Sequence, residues 1–186
     1  MMDKIFKHNI KDMDLNPLID YAYYLKDSGF GSMGKKSNVD GFQTKEIYES
    51  DDIVVPLFNY ISNIVNTQCK EIFELIELQL GYYWININGN GSYNESHHHM
   101  GGVSNGKKQS ILSGVFYLNV PDGDCGDIVF IKKDGKEASV KPTNGDLLLF
   151  SPSLLHRVEK NNTNEERISI AFNYIKSHTQ QITNII

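Results

Sequence analysis

The chain has 186 residues, 40% of them hydrophobic, which suits one soluble globular domain with a sizeable core. Its formal net charge of −5 argues against general binding to nucleic acid or to anionic membranes. No stretch is long and apolar enough to span a bilayer, and the start, MMDKIFKHNIKDMD, lacks the apolar run of a secretory signal, so a cytoplasmic protein is expected. Two cysteines in unrelated surroundings make no disulfide framework and suit a reducing compartment. Cys69 falls on a helix face as a small buried hydrophobe, whereas Cys125, between Asp124 and Gly126, reads as a turn residue.

Taken in order, the elements fall into a helical region, 1–80, and a β-rich region, 81–176. Asn16-Pro17 reads as an N-cap followed by proline at the first helical position. Leu18, Ile19, Ala22 and Leu25 then recur at helical spacing, and Gly29 is a stop. Residues 29–45 are rich in Gly, Ser, Asn and Lys and read as a loop. After Asp51-Asp52 a second helix carries Phe58, Ile61, Val65, Cys69, Ile72 and Ile76 as one apolar stripe.

From Gly81 the period changes to two. YYWININ is a strand, followed by a Gly/Asn turn at 89–92. Ile111–Val120, Asp127–Ile131, Ala138–Lys141, Asp146–Phe150, Leu155–Glu159 and Arg167–Ile175 also read as strands, separated by DGDCG, KKDG, PTNG, SPS and NNTNEE. Two helices before many short strands predict a β-sandwich or jelly roll backed by helices. In the last strand Ile168, Ile170, Phe172 and Tyr174 form an apolar face, while Arg167, Ser169, Ala171 and Asn173 form a polar one. That polar face suits a barrel lining or a solvated sheet.

Three histidines carry the chemistry. On an extended strand His97 and His99 point to the same side, roughly 7 Å apart at Cα, so their imidazoles can converge on one metal, with His98 turned away. His156 lies far off in sequence at the start of another strand. An H-x-H pair plus a remote histidine gives three facial ligands with open positions opposite, as redox iron needs. Taken singly, a histidine run suits a polar loop and a lone histidine suits a strand surface.

These residues, in their order, resemble a known family. The runs are WININGNGSYNESHHH from Trp84 to His99, LSGVFYL from Leu112, PTNGDLLLFSPSLLHRV from Pro142 and RISIAFN from Arg167, with SNVDGFQT from Ser37 upstream. Together they resemble the 2-oxoglutarate/Fe(II) oxygenases of prolyl-hydroxylase-like type found in marine bacteria and phages. The resemblance covers nearly the whole chain. It departs at Ser151, where proline is usual, and in a longer Gly-rich loop at 100–110.

The resemblance implies a single oxygenase domain, 1–186, folded as a double-stranded β-helix, a cupin-like jelly-roll barrel. It implies Fe(II) on His97, His99 and His156, 2-oxoglutarate as cosubstrate and O2 as oxidant. Arg167 is then the partner of the distal carboxylate of 2-oxoglutarate, assisted by Ser169, Tyr117 and Asn86. Each also has a bland reading. Arg167 could pair with Glu165 or Glu159 at the surface, Tyr117 could be core, and Asn86 could satisfy a backbone group. Most members carry H-x-D, so His99 stands where a carboxylate is usual, and Glu95, Asp127 or Asp146 are alternative third ligands. The filled position argues against halogenase chemistry.

The implied reaction is hydroxylation of an acceptor C–H bond with release of succinate and CO2. The acceptor is unidentified, with a protein side chain the first expectation and a small molecule the other. Residues 100–109 read as a lid beside the ligands, and residues 29–45 as a second substrate edge. Alternatives are a three-histidine cupin-type dioxygenase that does not use 2-oxoglutarate, and a non-catalytic metal-binding barrel. A barrel edge would permit a homodimer without requiring one.

Overall fold

The computed structural model describes residues 3–32, 37–69, 77–100 and 109–177. Among the described residues eleven strands form two antiparallel sheets. The larger has the order β1-β9-β6-β11-β4-β3 and the smaller the order β2-β5-β10-β7-β8. The strands are β1 Ile5–Asn9, β2 Asn38–Val39, β3 Phe42–Gln43, β4 Leu78–Asn88, β5 Tyr93–His97, β6 Ser110–Asn119, β7 Ile128–Ile131, β8 Glu137–Val140, β9 Asp146–Phe150, β10 Leu155–Val158 and β11 Arg167–Lys176. Helices α1, Asn16–Asp27, and α2, Val55–Thr67, back the larger sheet. This is the expected double-stranded β-helix.

The alternation in β11 explains both layers. Ile168, Ile170, Phe172 and Tyr174 join Leu18, Ala22, Phe58 and Ile61 in a core between the larger sheet and the helices. On the other face a smaller apolar cluster, with Tyr117, Phe130, Leu148 and Phe150, fills the space between the sheets. The polar positions of β11 line that inner space, so they form a barrel lining and not a solvated face.

Four local readings are corrected. Asn16 is the first helical residue and not the cap. Leu15 holds the cap position without a side-chain bond, and the Asp14 carboxylate accepts the Asn16 N–H at 3.1 Å. Within 29–45, two strands of two residues appear, too short to show periodicity, around Asp40 at φ 56°. One joins each sheet: Phe42 and Gln43 pair with Ile87 and Asn86, and Asn38 and Val39 pair with Asn94 and Tyr93. The segment before α1 adds β1, paired along its length with β9. Cys125 is buried in the connection between β6 and β7, and Cys69 is buried as expected but lies two residues past the end of α2. Ile72, Ile76 and residues 101–108 of the expected lid lie outside the described residues. No helix among the described residues is long and apolar enough to cross a membrane.

Candidate metal and cosubstrate site

The three predicted histidines come together between the sheets. One ring nitrogen of each lies within 4.8 Å of the others, and among the described residues no carboxylate or thiol joins the group. His97 ends β5 and faces His156 across the β5–β10 pairing. His99 lies two residues past the end of β5. There its backbone N–H donates to the Pro152 carbonyl at 2.8 Å, which carries the extended chain past the strand end. The H-x-H pair therefore converges as expected, although only His97 lies in the strand.

Hydrogen bonds fix which nitrogen faces inward. A carbonyl oxygen only accepts, so His97 Nδ1 donates to Glu95 O at 2.7 Å and His156 Nδ1 donates to Leu154 O at 2.9 Å. His99 Nδ1 contacts Ser113 Oγ at 2.9 Å, and that hydroxyl donates to Asn173 Oδ1 at 2.5 Å. The serine proton is thus committed, so Nδ1 of His99 is also the donor. All three rings then turn the Nε2 lone pair inward, with Ser37 Oγ 3.5 Å from the Nε2 of His97. The Nε2 of His99 is buried with no partner among the described residues, an arrangement that costs free energy unless a metal ion or a hydrogen-bond donor takes the lone pair.

Burial holds these imidazoles in the neutral form that metal binding needs. Desolvation lowers His97 and carries His156 down to about 3, with the positive field of His97 adding to the effect on His156. Desolvation, then His156 and His97, put His99 well below its ordinary value. The rings of Phe150 and Phe130 lie 4.9 and 6.0 Å from that of His156 and supply the dry wall. The donor set and the unpartnered nitrogen fit a divalent metal of the iron type, with its other positions left to exogenous ligands.

The carboxylates considered for the third position are exposed or engaged elsewhere. The Glu95 side chain is exposed, and it is its backbone carbonyl that serves His97. Asp146 pairs with Lys7 at 2.8 Å, and Asp127 accepts from Ser139 at 2.6 Å.

Arg167 lies deeper in the same pocket and is only 3% exposed. Its Nη1 donates to the carbonyls of Cys125 and Gly126 at 2.6 and 2.8 Å. Among the described residues it has no carboxylate partner. Glu159 and Glu137 pair with Arg157, and Glu166 pairs with Lys26. A buried guanidinium held only by carbonyls is a cation prepared for an anion.

Strand register builds its surroundings. Ser169 pairs with Asn86 on one side and Tyr117 on the other, so the three form one row across β4, β11 and β6. Burial raises the Tyr117 phenol while Arg167 pulls it down, so it stays a protonated donor. Asn86 Oδ1 is buried without a partner. The surface ion pair for Arg167 and the backbone role for Asn86 are not what the structure shows.

Sequence reasoning missed Ser113 and Asn173 as the support of His99, and Asn88 and Asn94, which contact one another at 3.3 Å in the pocket wall. Ser113 and Asn173 could have been found from their place on the inward faces of β6 and β11, where pairing sets them opposite each other. A neighbouring cleft of about 250 Å³, lined by Gln43, Tyr82, Trp84, His98 and Met100, opens beside the histidines.

A jelly-roll barrel with three inward imidazoles and a buried arginine in the same pocket fits the class of non-haem iron oxygenases that take an anionic cosubstrate. Residues 82–173, which hold all three histidines and Arg167, match the family described as "Putative 2OG-Fe(II) oxygenase", the Fe(II)- and 2-oxoglutarate-dependent enzymes. Among curated proteins, none matches this sequence. Solved structures show the same fold. A prolyl-4-hydroxylase of Pseudomonas putida superposes with a TM-score of 0.71 at 14% identity, over 93% of this chain and 92% of that one. A viral collagen prolyl hydroxylase from Paramecium Bursaria Chlorella virus-1, in complex with 2OG, gives 0.67 at 16% identity, over 92% and 96%. A prolyl hydroxylase of Trichoplax adhaerens, in complex with a hypoxia inducible factor peptide fragment, gives 0.69 at 15% identity, over 92% and 83%.

Proposed function

We propose that the chain hydroxylates a side chain of a protein acceptor, with Fe(II) held by His97, His99 and His156 and 2-oxoglutarate anchored by Arg167. The observation that carries the reading is the pairing of three converging imidazoles with one buried guanidinium that, among the described residues, lacks a carboxylate partner. When bound there, iron with 2-oxoglutarate and dioxygen supplies the oxidation that hydroxylates the acceptor and releases succinate and CO2.

The residues divide the remaining work. Arg167 takes the distal carboxylate through the guanidinium nitrogens left by its two carbonyl contacts, and Tyr117 and Ser169 offer hydroxyls to the same group. Asn86 lines the path between that carboxylate and the histidines. Phe150 and Phe130 exclude water from His156. The acceptor enters over Trp84 and Tyr82, whose rings stack 6.0 Å apart on the wall of the open cleft. A protein acceptor is supported by that open cleft and by structural neighbours that are prolyl hydroxylases.

An anaerobic titration with Fe(II) and then 2-oxoglutarate tests the site through the visible metal-to-ligand charge-transfer band. Wild type should develop the band. Removing a charge from a buried charge pair costs about 2–5 kcal/mol, so Arg167→Ala should weaken 2-oxoglutarate binding by roughly 30-fold or more. Tight iron binding with no band would instead favour a three-histidine dioxygenase without 2-oxoglutarate. Succinate release above the background rate on adding a denatured protein extract, but not amino acids, is expected for a protein acceptor.

A further inference from the structure

The third histidine poses a problem that a carboxylate in that place would not. A carboxylate offers a lone pair in any protonation-competent orientation, whereas an imidazole ligates only if its proton sits on the other nitrogen. His97 and His156 solve this with backbone carbonyls, which cannot donate. His99 has no such carbonyl. Its Nδ1 meets a serine hydroxyl, which can either donate or accept.

We propose that Ser113 and Asn173 act together as positioning residues that lock His99 in the Nδ1–H form and so make its Nε2 a metal ligand. Asn173 Oδ1 takes the only proton of Ser113 Oγ at 2.5 Å. The oxygen that faces His99 is therefore an acceptor. Strand pairing sets Asn173 opposite Ser113 across β11 and β6, and both are at most 1% exposed, so water does not compete for the relay. Without Asn173 the hydroxyl is free to turn and donate to Nδ1. The ring proton then moves to Nε2, and the inward nitrogen becomes a donor with no lone pair. Asn173 also lines the open cleft beside the histidines. This inference rests on the proposed metal site and adds what makes its unusual member competent.

Trp84 gives a readout that needs no turnover. It is the chain's one tryptophan, and its ring stands edge-on to His99 at 5.2 Å. Quenching of its fluorescence by Co(II) alone, measured on purified apoprotein, reports metal at His99. Apoprotein melting checks that each variant is folded. Ser113→Ala and Asn173→Leu should weaken Co(II) about 10–100-fold, as loss of a supporting hydrogen bond does elsewhere. Asn173→Asp keeps an acceptor toward Ser113 and should bind within about threefold of wild type. In a His99→Ala background, Ser113→Ala should add nothing. Unchanged affinity in Ser113→Ala or Asn173→Leu, or equal losses for Asn173→Asp and Asn173→Leu, would overturn the relay while leaving the metal site standing. Wild type that does not bind Co(II), or a His99→Ala variant that binds as tightly, would overturn the metal site itself.

Discussion

Asp146 shows how single residues far from the metal hold the frame. It is 1% exposed, and burial alone would raise its carboxyl. The Lys7 ammonium, the Asn9 amide and the Thr143 N–H outweigh that and leave it below the usual carboxylate range. A depressed folded pKa means stability that is full above the unfolded value and lost as pH falls through the folded one. Wild type should therefore lose melting temperature steeply below about pH 4. Asp146→Asn should start lower by about 1–3 kcal/mol and show a shallower acid limb. A parallel acid limb in the two proteins would show that other carboxylates set it. At this scale the sequence was informative where chemistry is scarce. Three histidines and one arginine stood out because few other groups can bind a metal or a dicarboxylate. Ser113 and Asn173 did not stand out, because their meaning comes only from the strand pairing that sets them face to face.

At the scale of elements, β11 joins the parts. One face supplies Ile168, Ile170 and Phe172 to the helix-backed core, and the other supplies Arg167 and Ser169 to the pocket. Ile170 is fully buried, and Ile170→Ala should cost about 2–5 kcal/mol in denaturant unfolding. The turn before β7 matters equally to Arg167. Gly126 has φ +85°, and a Cβ there would lie 2.1 Å from the Glu159 carbonyl oxygen. Gly126→Ala should therefore shift the two carbonyls that hold Arg167, and should weaken 2-oxoglutarate binding as well as stability. Isothermal titration alongside a melting curve would check both. The long strands were legible because their alternation runs for several residues: Asp146–Phe150 holds to the residue, and β11 differs by one at its end. β2 and β3 were not, since two residues cannot display a period, and β1 was hidden because IFKHN has no clean alternation.

For the whole molecule, the histidines sit in a pocket lined by both sheets. His97 and His156 come from the smaller sheet, while His99 is held by residues of the larger one. A metal bound to all three would tie the sheets together. Ligand that binds only the folded state adds RT ln(1 + [L]/Kd), about 2.7 kcal/mol at a hundredfold excess over Kd. Saturating Co(II) should accordingly raise the melting temperature by several degrees, and a chelator should reverse it. A melting temperature indifferent to both would mean that the folded protein does not bind the metal at this site.

The strand order has a consequence for how the molecule is made. β11 lies between β6 and β4 at the middle of the larger sheet, yet it is the last of the described strands to leave the ribosome. β1 must likewise wait for β9, with which Ile5 pairs at Phe150. During synthesis β4 and β6 emerge without the neighbour that joins them, and their edges stay open to other chains until some 170 residues have been built. Assembly of the larger sheet must then wait for β11 and be slow for a domain of this size, because long loops close before native pairing rewards them. A nascent chain halted before Arg167 should be captured by chaperones or aggregate, however complete its histidine motif.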